Sequence, residues 1–159
     1  MSLLGIHVAL SLIGIATGLV MLYGLLTGRT FGGWTALFLV TTILTCITGF
    51  PLAPFGFDPP RAIGTLTLIL LALAVIALYA FRLAGAWRWI YVGTAIAALY
   101  LNVFIAVFQA FLKIPSLHDL APTQSEPPFL IAQAVVLLIF IALGILSLIR
   151  FHPAPPARA

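Results

Sequence analysis

Imidazoles and carboxylates are the groups in this sequence best suited to chemistry, and they are few: three histidines and three acids. His7, His118, Asp119 and Glu126 could meet if the start of the chain and its longest loop share one end of the molecule. Mixed imidazole and carboxylate suits Zn, Cu(II), Fe or Mn, so a metal ion is the cofactor such a set would take. Their spacing matches no metal motif. The plainer reading makes His118 and Asp119 solvated loop residues and His7 an interfacial histidine satisfied by backbone or water. His152 stands among prolines near the end of the chain and reads as solvated. A b-type haem calls for paired histidines inside the helices, where only His7 lies. There is no GxSxG, HExxH or Walker loop, and Cys46, the single cysteine, can form neither an internal disulfide nor a CxxC pair. An enzyme is therefore not the favoured reading.

The elements that must position these residues are set by composition. Hydrophobic residues make up 64% of the 159 and charged residues 6%, against about 25% charged in a soluble domain. Mean hydropathy is +1.27. Each membrane span takes about 20 apolar residues, so the chain reads as an all-α, polytopic bundle of five transmembrane helices. They are expected near 3–26, 34–50, 62–81, 89–112 and 129–149, with residues 1–159 forming one transmembrane domain. The N-terminal run lacks a basic leader and a small-x-small cleavage site, so it reads as a retained helix. The net charge of +4 comes from scattered residues, which excludes a nucleic-acid partner. The expected surroundings are the lipid bilayer and a homodimer or larger membrane complex.

Basic residues near helix ends set the orientation. Arg29, Arg82, Arg88, Arg150 and Arg158 fall on one side with no acid, together with Trp34, Trp87 and Trp89. Arg61 and Lys113 fall on the other, with Asp58, Asp119 and Glu126. The arginine-rich side should be cytoplasmic, which puts the N-terminus outside and the C-terminus in the cytoplasm.

Polar side chains are costly in a bilayer unless they face protein or water, and here they gather toward the outer side. His7, Ser11, Gly14 and Gly18 step by four, three and four along one helical face. Gly14 and Gly18 form the GxxxG spacing that lets helices approach closely. Thr94, Ala98, Asn102, Ala106, Gln109 and Lys113 share a face of the fourth helix. The lopsided polarity points to an outward-facing pocket whose ligand-binding residues are His7, Ser11, Asp58, Arg61, Asn102, Gln109, His118, Glu126 and Gln133. For Asn102 the alternative is a hydrogen bond to another helix, and for Asp58 and Arg61 an ion pair at a helix start. The threonines of the second helix could line a polar path or bond back to their own backbone.

The runs TGFPLAPFGFDPPR (48–61), AGAWRWIYV (84–92) and LHDLAPTQSEPPF (117–129) resemble those of a family of small bacterial inner-membrane proteins. The resemblance implies a bacterial inner membrane and carries over no activity and no functional residue. The tryptophan-rich pattern of the translocator-protein family, which also has five spans at this length, does not occur.

Three functions compete on these grounds. The first is a protein that binds or transports a small or lipidic ligand through the outward pocket. The second is an accessory or scaffold subunit of a larger membrane complex. The third is a membrane-embedded metal-dependent or redox protein using His7, His118, Asp119 and Glu126.

Overall fold

The computed structural model describes residues 2–52 and 59–153. Among them there are helices and no strands. Helix α1 is Leu3–Leu26, α2 Gly32–Gly49 and α3 Pro59–Val75, the last continued by a π-helical turn over Ile76–Ala80. Helix α4 is Trp87–Lys113, α5 the four-residue Pro115–His118, and α6 Pro127–Arg150. Five of these segments are long and apolar enough to cross a bilayer, which makes the chain a multi-pass membrane protein. The shortest, α2, has 18 residues, about 27 Å of helix against a hydrocarbon core of about 30 Å.

The helix ends follow local chemistry. The Ser2 hydroxyl caps α1 by accepting from Gly5 N–H at 3.2 Å, as an N-cap serine does. Pro59-Pro60 and Pro127-Pro128 form the first turns of α3 and α6. Proline has no N–H to leave unsatisfied there and its φ is already helical. These two helices therefore start earlier than hydropathy alone places them. Pro115 starts α5 in the same way, giving the longest loop a helical turn that no apolar periodicity announces. At the far end of α3 the ladder widens, with Phe81 N–H donating to Ile76 C=O at 3.1 Å. Arg82 and Leu83 then take positive φ, and Phe81 stacks on Trp87 with centroids 3.8 Å apart.

Helices α1 to α4 form a ring: α1 packs on α2, α2 on α3, α3 on α4, and α4 back on α1. Helix α6 lies outside the ring against α4 and α1. At the tryptophan end the ring is filled by Met21, Leu25, Phe38, Leu71, Val92 and Leu99, all fully or almost fully buried, with Phe151 closing the bottom. The Arg88 guanidinium donates to Phe151 C=O. Large apolar side chains such as Leu12, Val40, Ile69, Leu138 and Ile149 remain exposed around the perimeter, as a lipid-facing surface requires.

Candidate functional site

At the opposite end the ring is not filled. A cavity of about 850 Å³ is lined by residues of α1, α2, α3 and α4, far above the roughly 10–15 Å³ that one water occupies by this measure. Its walls carry Leu4, Val8, Leu12, Ile63, Ile105 and Phe108. Polar groups among them are His7, Ser11, Thr42, Thr45, Thr67, Asn102 and Gln109, with Arg61 and Lys113 toward the helix ends.

The floor is set by close helix approach. A methyl group on Gly14 would sit 2.9 Å from Thr42 Oγ1 and 3.2 Å from Asn102 Nδ2. Only a glycine lets α1 lie this near both α2 and α4. One α1 turn deeper, Gly18 does the same against Phe38 and Leu99. Asn102 lies eleven residues before the end of α4, about 16 Å along the helix and so near mid-bilayer. Its Oδ1 accepts the Ser11 hydroxyl at 3.0 Å. Its Nδ2 is buried with no hydrogen-bond partner, as are Thr42 Oγ1 and Gln109 Oε1. Buried polar atoms are almost always paired, which sets these three groups apart from the rest of the lining.

Higher on α1, His7 Nδ1 lies 3.2 Å from Thr48 Oγ1. The Thr48 hydroxyl hydrogen already points at Leu44 C=O, 2.7 Å away, so Thr48 accepts and His7 Nδ1–H donates. Gly49 makes room for the ring: a methyl there would be 3.1 Å from His7 Cε1. Of the other α2 threonines, Thr41 and Thr45 bond back along the helix, to Leu37 C=O at 2.7 Å and Thr41 C=O at 2.8 Å, whereas Thr42 Oγ1 has no partner.

The structure divides the ligand set read from the sequence. His7, Ser11, Arg61, Asn102 and Gln109 line the cavity. Gln133 does not: its Nε2 donates to Phe104 C=O at 3.1 Å and ties α6 to α4. His118 and Glu126 do not line it either. The loop after α4 packs through Leu117 and Ala121 onto Phe111 and Phe129, which draws it toward α6. Asp58, and with it the ion pair expected with Arg61, lies outside the described residues. Arg61 donates Nε to Phe50 C=O at 3.2 Å and Nη2 to Leu52 C=O, holding the chain that leaves α2. Thr42, Thr45, Cys46 and Lys113 line the cavity as well, in addition to the ligand-binding set expected from the sequence. For Lys113 the signal was present, since it shares a face with Asn102 and Gln109.

The four-residue metal set is not brought together. Among the described residues no three of His, Cys, Asp and Glu are grouped so that they could hold a metal ion. His7 is in the ring, whereas Glu126 is committed to its own loop. The Glu126 carboxylate accepts from Thr123 N–H at 3.1 Å, the Thr123 hydroxyl at 2.8 Å and Ser125 N–H at 3.1 Å. Partial desolvation pushes this carboxyl up, but those bonds outweigh it and hold it below its ordinary value. His118 and the exposed Asp119 end the α5 turn.

Comparison with family models, curated proteins and solved structures finds no match to the chain. The functional reading therefore rests on the cavity itself.

Proposed function

We propose that this protein binds a small amphipathic ligand in the cavity of the α1–α4 ring, and that the cavity faces the outside of a bacterial inner membrane. One observation carries the reading. A cavity of about 850 Å³ with largely apolar walls has on its floor an asparagine amide with buried, unpartnered hydrogens. Apolar walls with a few convergent polar groups are what small-molecule sites consist of. The orientation follows from charge. Arg29, Arg82, Arg88 and Arg150 lie with all three tryptophans at the filled end, the cytoplasmic end by the positive-inside rule. The cavity is at the other end, and on this reading the N-terminus is outside and the C-terminus in the cytoplasm.

The binding test uses an environment-sensitive fluorescent amphiphile titrated into protein in a non-ionic detergent. Ala106→Trp, which fills the cavity, should abolish saturable binding, and Asn102→Leu should weaken it about tenfold, the worth of one hydrogen bond made to a buried polar group. Ile149→Trp, on the lipid-facing surface, should leave it unchanged. Equal binding by all three variants would remove the cavity as the site. Orientation is read with a membrane-impermeant maleimide in a Cys46→Ala background: Thr123→Cys should label on spheroplasts, Ala84→Cys only after permeabilisation. The reverse pattern would place the cavity on the cytoplasmic side.

A further inference from the structure

The polar groups of the cavity come from all four helices of the ring. On α4, Asn102, Gln109 and Lys113 step by seven and four, so they form a single stripe from the floor to the helix end. His7 and Ser11 of α1 and Thr42 and Thr45 of α2 add to the same lining. Leu4, Val8, Ile63, Ile105 and Phe108 supply the apolar part.

The charge on this lining has one sign among its described residues. Lys113 and Arg61 are cations and no described lining residue is an acid. Their roles differ. Arg61 holds the carbonyls of Phe50 and Leu52, so it is committed to the chain that leaves α2. Lys113 ends α4 on a flexible stem, and an ammonium there can turn to meet a head group. Its apolar stem can lie along the wall while the charge sits at the water boundary. Deeper in, the Asn102 amide nitrogen is unpartnered, while its oxygen accepts one hydrogen bond from Ser11.

We infer that the ligand is an anionic amphiphile, a single-chain carboxylate or phosphate monoester, whose head group pairs with Lys113 while its chain lies against the apolar wall. This rests on the binding reading above and names the ligand class for the same cavity. A neutral amphiphile would meet the same wall without the charge pairing. A soluble anion would pair with Lys113 but leave the wall unused.

The experiment uses the full chain in phosphatidylcholine nanodiscs with the fluorescent amphiphile bound. Laurate, dodecyl phosphate and dodecanol compete at equal mole fraction in the bilayer, and inorganic phosphate competes from solution. Laurate and dodecyl phosphate should displace the probe at about fivefold lower concentration than dodecanol, the worth of one well-formed exposed ion pair. That preference should shrink as salt rises. Lys113→Gln should bring the ratio close to one, and Lys113→Arg should retain it. Inorganic phosphate should not displace the probe. Equal displacement by dodecanol and laurate, or a preference unchanged in Lys113→Gln, would overturn the anionic class while leaving the cavity a binding site. Displacement by inorganic phosphate as strong as by dodecyl phosphate would overturn the amphiphile. Failure of every chain-bearing competitor, with probe signal unchanged in Ala106→Trp, would overturn the binding reading as well.

Discussion

Adding one methyl group at Gly18 should loosen the whole bundle. A Cβ at this position would lie 2.5 Å from Leu99 Cδ1 and 2.9 Å from Phe38 Cδ2. Neither neighbour can step aside, because both side chains are 0% exposed and interiors pack without spare volume. Forcing a methyl into a full core costs about 1–3 kcal/mol, and with two immobile neighbours the upper part of that range applies. Replacing glycine by alanine in a helix returns at most about 1 kcal/mol, and less where the segment stays helical after the bundle comes apart. The net expectation for Gly18→Ala is a loss of about 2 kcal/mol. Gly93→Ala is the control: it is an exposed glycine of α4 whose added methyl meets nothing within 4 Å, so it should be neutral or gain up to about 1 kcal/mol. Reversible unfolding in mixed micelles, titrated with sodium dodecyl sulfate and followed by tryptophan fluorescence, measures both. If Gly18→Ala is as stable as Gly93→Ala, the close α1–α2–α4 contact does not exist and the cavity floor built on it falls too.

Two further predictions concern the ends of the bundle. Phe151→Ala should cost about 3 kcal/mol in the same titration, the lower end of the range for truncating a buried phenylalanine; an effect below about 1 kcal/mol would mean that Phe151 does not close the core. Glu126 gives a pH prediction. Its carboxyl is lowered on folding, so its contribution is fully present above the unfolded value, about 4.3, and is lost as pH falls through the lower folded value. Hydrogen exchange over residues 119–126 should be faster in Glu126→Gln than in the unaltered protein at pH 7, and the difference should close in acid; a difference that persists undiminished at low pH would show that the carboxylate does not hold this loop.

Much of this architecture was legible in the sequence, for physical reasons that differ by element. Helix α1 was read at its observed bounds because Ser2 caps one end and Thr27-Gly28 stops the other. The paired prolines suit the first turns of α3 and α6, yet hydropathy alone starts these helices two or three residues later than the structure does. The π turn at Ile76–Ala80 has no local signal; it ends where Phe81 stacks on Trp87, a contact made across the following turn. Among the site residues, those on helical faces could be grouped by period, which is why His7, Ser11, Asn102 and Gln109 fall together. Loop residues could not. Glu126 and His118 share a membrane side with the cavity, but the Phe111–Phe129 cluster that draws their loop toward α6 is a long-range packing choice with no periodic trace.

The cavity itself follows from where the small residues lie. Helices α1 and α2 are held together along their length, with His7 against Gly49 at one end, Gly18 against Phe38 midway and Gly24 against Phe31 at the other. Helix α4 meets α1 closely at Gly14 and Gly18, through Asn102 and Leu99. Two helices that touch at one level must separate away from it. At a crossing angle of about 20°, typical of membrane bundles, the ten residues from Gly14 back to Leu4 span about 15 Å and open a gap of about 5 Å beyond contact. Toward the tryptophan end the same divergence is filled by Met21, Leu25, Leu71 and Val92 and closed by Phe151. Toward the other end Ser11, His7, Ala106 and Gln109 stand among the apolar lining residues, and these four are too small or too polar to pack as a core. The glycine pair that fixes the contact and the polar residues beyond it are therefore one device: the first creates the wedge, and the second keeps it from collapsing shut.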